Sequence, residues 1–293
     1  SRLRSRLRSR LRSRLRSRLG LGLGLGLGLG LGLGLGFGLG LGFGVGGRRR
    51  GRLVDSGLVI GLVLSCEHAS WTLPPGVDLG VTDDVLRSQA SWDPGAYEIA
   101  ARLGEALGLP VHTGAFSRMW VDLNRGPEHG DVVPRVSYGA VVPGNQELDP
   151  AARAKRIAEY HVPYWEAVRR DARARLMSIG ACLQVSSHSF DPALDPANRR
   201  FDVGVLYDPA FPFEAELAER LTFGLRAAGL DVRANRPYSG VGPGITTSLR
   251  HELAGERYAG IQLETSFAVT LVPGGCARVA DALAPLLEQL REG

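Results

Sequence analysis

Cysteine is scarce in this chain, and the spacing of the few present is informative. Cys66, Cys182 and Cys276 form neither an even set nor a CxxC pair, which argues against a disulfide framework and fits buried, inert thiols in a reducing cytoplasm. An unbroken apolar run is missing as well. Residues 20–47 alternate Gly with Leu, Phe or Val, a poor transmembrane helix that also lacks the compact apolar run and cleavage site of a signal peptide. Acidic residues are absent from residues 1–52, where Ser-Arg-Leu-Arg repeats precede the Gly alternation and a basic run at Arg48, Arg49, Arg50 and Arg52. Neither repeat can build a core, because the arginines repel one another and alternating Gly carries a large backbone entropy cost. Residues 1–52 are therefore expected to be a low-complexity segment, disordered or mis-translated from repeat DNA, with no initiating Met.

The charge of the remainder is opposite in sign to that of the whole. Thirteen of the 35 basic residues and none of the 30 acidic ones lie in residues 1–52, so residues 53–293 carry 22 against 30, a formal −8 in place of the overall +5. That is the reverse of a nucleic-acid footprint, and DNA and RNA are dropped as partners. About 240 residues suffice for a single catalytic domain, 53–293, with one sizeable core.

Two kinds of apolar segment take turns along those residues. Strands are predicted at 58–66, 111–116, 181–187, 202–207, 231–234 and 258–263, with helices at 93–107, 150–177 (broken or kinked at Pro163), 213–228, 245–253 and 275–291. Asp93-Pro94 reads as the cap and first residue of the first helix. Strands and helices alternating in this way point to a three-layer α/β/α sandwich with a mixed, mainly parallel sheet.

Open α/β sheets bind ligands at the carboxyl ends of their strands, so the residues following each apolar run matter most. The first run ends Ser65-Cys66-Glu67-His68, the third Ser186-Ser187-His188-Ser189 and the last Leu263-Glu264-Thr265-Ser266, while Asp93 opens the first helix near the same edge. Two histidines and a carboxylate, His68, His188 and Asp93, make a three-ligand set suited to one Zn²⁺ with a position left for water, and Glu264 stands beside it as a base. Each has an ordinary reading too: a hydrogen-bonded structural His, a helix cap, half of a salt bridge. His112, His129 and His251 are read as structural, and His161 as either a cap or a pocket residue.

These segments also resemble the N-formylglutamate amidohydrolase family. The resemblance covers nearly all of 58–270 in seven ordered blocks: CEHAS, DPGA at Asp93, SRMWVDLNR from Ser117, HVPY at His161, SSHSF from Ser186, NRPYSG from Asn235 and QLETS from Gln262. It implies a fold like that of the zinc-dependent carboxypeptidases and cell-wall amidases, and hydrolysis of an N-acyl amide on an acidic amino acid. Residue by residue it implies zinc on His68, Asp93 and His188, with Glu264 as catalytic base. A dianionic substrate needs cations, and Arg118, Asn124, Arg125, Arg250 and Tyr238 are the substrate-binding candidates; Arg199 and Arg200, on an Asp- and Pro-rich loop, are weaker. Gly240, Gly242 and Gly244 around Tyr238 read as a flap or a plain connection. Family members from histidine breakdown tend to carry PHxG and DTD where this chain has CEHAS and WDPGA, a divergence that bears on the acyl group and amino acid more than on the reaction. Rival readings are a zinc amidase or carboxypeptidase on another N-acylated amino acid or peptide, and a non-catalytic relative that binds an acidic ligand.

Overall fold

The computed structural model describes residues 57–293, and the expectation for residues 1–52 lies outside the described residues. Six strands form one sheet: β1 (Gly61–Cys66), β2 (Val111–Thr113), β5 (Cys182–Phe190), β6 (Val203–Leu206), β7 (Val232–Ala234) and β8 (Tyr258–Ser266). Its order is β2-β1-β5-β8-β6-β7, with β6 antiparallel to β8 and every other pairing parallel. Two short strands, β3 (Val136–Ser137) and β4 (Ala140–Val141), make a separate hairpin. Its two-residue turn puts both Tyr138 (φ 47°) and Gly139 (φ 82°) in the left-handed region, as a tight hairpin of the I′ type requires.

Helices cover both faces, and their apolar periodicity decides which face each takes. α2 (Ala96–Leu107), α5 (Pro212–Ala227) and α8 (Gly275–Glu292) bury Ile99, Leu103, Leu217, Leu221, Leu225, Val279, Leu283 and Leu287 against Leu62, Leu64, Leu183, Val185, Ile261 and Leu263 of the sheet. On the other face α4 (Val162–Ile179) and α6 (Ile245–Glu252) bury Trp165, Val168, Ala172, Leu176, Ile245 and Leu249 against Val63, Cys182 and Tyr258. A third cluster around Leu79, Met119, Trp120 and Val142 lies in the connections from β1 to α4. The three-layer α/β/α sandwich expected from the sequence is the observed architecture.

Several boundaries differ from expectation for physical reasons. The long helix predicted over 150–177, with a break or kink at Pro163, is α3 (Pro150–Arg156), a π-helical turn at Ile157–His161 and α4 in continuous right-handed backbone, the π turn just ahead of Pro163 accommodating its missing N–H. α2 begins at Ala96 behind a left-handed Gly95, so Asp93 does not cap it. β5 and β8 run on to Phe190 and Ser266 through polar residues, because the two strands pair with each other along their full lengths.

Candidate active site

The two-residue repeat of a strand decides which strand-end side chains share a space. β1, β5 and β8 are neighbours in the register Ser65↔Ser186 and His188↔Glu264. Leu183 and Val185 of β5 and Ile261 and Leu263 of β8 enter the α2/α5/α8 core. The intervening Gln184, Ser186, His188, Gln262 and Glu264 take the opposite face, where Glu67, two residues beyond Ser65, joins them.

His68, Asp93 and His188 converge there. Asp93 is pinned to the end of β1 by its backbone N–H, which donates to the His68 carbonyl at 3.0 Å. Its Oδ2 lies 3.3 Å from His68 Nδ1 and 2.8 Å from His188 Nδ1, and the two rings meet edge to face with centroids 5.1 Å apart. One ligand atom from each residue falls within 4.8 Å of the others, and all three side chains are buried, so the group can hold a metal ion. The other nitrogen of each ring is also held by a carboxylate. His68 Nε2 lies 2.7 Å from Asp122 Oδ1, and His188 Nε2 lies 3.0 Å from Glu67 Oε2 and 2.9 Å from Ser186 Oγ. Such outer partners fix ring orientation and raise the basicity of the inner nitrogen. The sequence alone assigns no role to Glu67 or Asp122; Glu67 shares the parity of Ser65, which carries meaning only through the β1–β5 pairing.

Charge in this space is dense and nearly dry. Burial pushes the Glu67 carboxyl up, but hydrogen bonds from His188 and Ser186 outweigh it and hold the group at about 2. Burial would lower His188, yet its hydrogen bonds to Asp93 and Glu67 lift it to about 10. Against burial, Arg118 and His68 hold Asp93 well below the usual carboxylate range. Glu264 behaves in the opposite way: burial, reinforced by the Asp93 charge, raises it to about 8, although His188, Arg118 and Arg199 pull it down. Its Oε2 is buried without a hydrogen-bond partner.

The other expected site residues divide into those at this centre and those committed elsewhere. Arg118 is buried and clamps Asp93 through Nη2 to Oδ1, with its guanidinium 5.4 Å from the Tyr138 ring. Asn124 Nδ2 sits 3.3 Å from His188 Nε2 and donates to Gln262 Oε1 at 3.2 Å. Arg125 donates Nη1 to the carbonyls of Asn124 (2.8 Å) and Pro243 (3.3 Å). Tyr238 touches the Tyr138 hydroxyl at 3.3 Å and accepts from Arg199 at 3.2 Å. Arg250 is committed elsewhere: it is buried, pairs with Glu214 at 2.7 and 2.9 Å, and spends its remaining donors on Gly240 O, Gly260 O and Thr247 Oγ1. It ties the glycine loop to β8 and presents no free edge to a ligand. His161, from the π turn, reaches the Arg125 carbonyl through Nε2 at 2.7 Å and stacks on Trp165. His112, read as structural, pairs with Asp171 at 3.2 Å.

A mainly parallel α/β sheet with a dry two-His, one-Asp centre and a raised carboxyl beside it defines a hydrolase-type site, and comparison with known proteins gives the family. Residues 60–269 match the model of the N-formylglutamate amidohydrolases, and the chain belongs to that family of hydrolases acting on amide C–N bonds. The solved structure of the gene product Atu2144 from Agrobacterium tumefaciens is 31% identical with a TM-score of 0.69, covering 80% of this chain and 92% of that one. An N-formylglutamate amidohydrolase from Ralstonia eutropha JMP134 has the same fold at 19% identity and a TM-score of 0.64, with 82% of this chain and 96% of that one covered. No curated protein matches the chain. Among the described residues no helix is long and apolar enough to cross a membrane.

Proposed function

We propose that this chain is a zinc-dependent amidohydrolase that cleaves the N-acyl amide of an acidic amino acid, converting N-formyl-L-glutamate to formate and L-glutamate. The observation that carries the reading is that Nδ1 of His68 and Nδ1 of His188 meet one Asp93 oxygen while Glu264, in register with His188, keeps a buried oxygen unpaired. Two imidazole nitrogens and one carboxylate oxygen within 4.8 Å of one another are a donor set that suits zinc, and His68, Asp93 and His188 would hold the ion. When bound, the ion would supply Lewis-acid polarisation of the amide carbonyl and a water made nucleophilic at neutral pH.

The chain's own residues account for the remaining steps. Asp122 and Glu67 hold the two imidazoles in one orientation, and Arg118 fixes the Asp93 carboxylate. Glu264 accepts a proton from the attacking water, whose oxygen bonds to the formyl carbon. The C–N bond then breaks and the same carboxyl returns the proton to the departing amine nitrogen. Burial raises this carboxyl to about 8, so its ionised form, populated increasingly as pH rises toward 8, is a stronger base than a carboxylate in water. Arg125 offers a guanidinium for a substrate carboxylate. Three free, buried cysteines are compatible with a reducing cytoplasm as the place of action.

The direct test is to load the purified chain with zinc and measure formate released from N-formyl-L-glutamate. Turnover at saturating substrate, lost on chelation and restored by zinc, is expected. A chain that takes up no metal, or a zinc-loaded chain that releases no formate, would defeat the reading.

A further inference from the structure

A dianionic substrate asks for two cations with free hydrogen-bonding edges, and the arginines near the centre divide sharply on that criterion. Arg118 keeps a buried Nε without a partner but has its charge paired with Asp93, and Arg250 is spent on Glu214 and two carbonyls. Two remain whose guanidinium pairs with no carboxylate among the described residues: Arg125 and Arg199. Both are tethered in the same way, through Nη1 alone. Arg125 donates it to the carbonyls of Asn124 and Pro243, and Arg199 to the Tyr238 hydroxyl (3.2 Å) and the Asp191 carbonyl (3.4 Å). That leaves the Nε–Nη2 edge of each unspent, the edge that grips a carboxylate through two parallel hydrogen bonds.

Arg199 is placed and oriented, not merely nearby. Its guanidinium carbon lies 4.9 Å from the centroid of the Tyr238 ring. Its backbone N–H donates to the Asp195 carbonyl, and Asp191 is fastened to Gln89 and caps the following turn, so the whole loop after β5 is anchored. Contacts run without a break from the metal-ligand set to it: Asp93 to Arg118, Arg118 over Tyr138, Tyr138 to Tyr238, Tyr238 to Arg199. Glu264 lies close enough for its carboxyl to feel the Arg199 charge.

Resting on the proposed function, we infer that Arg199 is the residue that selects for the substrate's side-chain carboxylate, while Arg125 takes the carboxylate next to the scissile amide. The division follows from position. Arg125 adjoins Asn124, which approaches His188, whereas Arg199 stands at the far end of that run of contacts. Tyr238 is then the platform that orients Arg199, and the loop after β5 supplies specificity without touching the metal ligands.

The test compares N-formyl-L-glutamate with N-formyl-L-glutamine, which lacks only the side-chain charge, on zinc-loaded full-length enzyme and its Arg199→Gln variant. The ratio of kcat/KM between the two substrates is expected to fall by roughly 10- to 150-fold in the variant, the worth of a charge-assisted pair, and mainly through KM. Calorimetric binding of L-glutamate against L-glutamine should lose the same preference. Equal losses on both substrates, or an unchanged ratio, would overturn the assignment of Arg199 and leave the amidohydrolase reading standing. A wild-type enzyme that is zinc-loaded yet inert toward N-formyl-L-glutamate would remove both.

Discussion

Adjacent residues of β5 and β8 do opposite work on the two faces of one sheet. Leu183, Val185, Ile261 and Leu263 enter an apolar core shared with α2, α5 and α8. Between them Ser186, His188, Gln262 and Glu264 stand among polar partners on the other face. On the first face burial is the stabilising term; on the second it is a cost that hydrogen bonds must offset. All the site carboxylates have partners except for Glu264, which keeps one oxygen bare. The contrast separates residues whose burial stabilises the fold from one held in an unfavourable state, the kind of group for which a chemical role is proposed.

Leu263 and Glu264 are the sharpest pair on which to try that separation. Glu264→Gln should lower kcat by about 10²- to 10⁴-fold, the usual worth of a general base, while zinc content and melting temperature hold. Retained turnover would mean that the bare oxygen is incidental. Leu263→Ala should do the reverse, losing about 2–5 kcal/mol of unfolding free energy in a denaturant titration because the side chain is fully packed. Its zinc-loaded form should keep kcat within a few fold, since the side chain projects away from the centre. If that variant loses activity while still folded, the two faces are not independent.

Glu67→Gln probes the polar face one step from the proposed metal ligands. It keeps the shape and one hydrogen bond but removes the charge behind His188, and outer-partner changes of this sort weaken metal affinity by about 10- to 100-fold. Competition with a chelator would measure it. An unchanged affinity would show that Ser186, also within reach of His188 Nε2, suffices alone.

Part of the fold and of the candidate site is legible in the sequence, and the point where legibility stops has a physical cause. His68, His188 and Glu264 each follow an apolar run directly, so strand-end position alone selected them. Asp93 was found by proximity to the same edge but given a helix cap it does not provide, since the left-handed Gly95 takes that place. Arg250 looked available because it follows a glycine-rich loop. Its partner Glu214 lies on α5, 36 residues away, and only the packing of α5 and α6 against the sheet brings them together. Glu67 and Arg199 required pairing information of the same long-range kind: the first depends on the β1–β5 register, the second on a loop meeting Tyr238. The reversed direction of β6 and β7 was likewise invisible, because strand composition does not encode polarity within a sheet.

The two faces should also differ in how they answer to pH, and metal-free protein gives the smallest but most specific signal. The apolar core holds no carboxylate or imidazole, so pH dependence in the acid and neutral range falls to the polar face. His188, lifted from 6.5 to about 10, contributes stability that is complete below pH 6.5 and is lost as pH rises toward 10. Glu67, lowered from 4.5 to about 2, contributes stability that is complete above pH 4.5 and is lost as pH falls toward 2. Both contributions are present together between about pH 4.5 and 6.5, and Glu264, raised from 4.5 to about 8, subtracts stability as pH climbs above 4.5, so the metal-free chain should melt highest toward the lower end of that window. Zinc requires a neutral imidazole, so its uptake must expel the His188 proton, and apparent affinity should climb by up to tenfold per pH unit above neutrality. Melting curves across pH for metal-free and zinc-loaded protein would then diverge as pH rises. Parallel curves would mean that His188 carries no proton for the metal to displace, and that the carboxylates on either side of it do not act as the hydrogen-bond geometry implies.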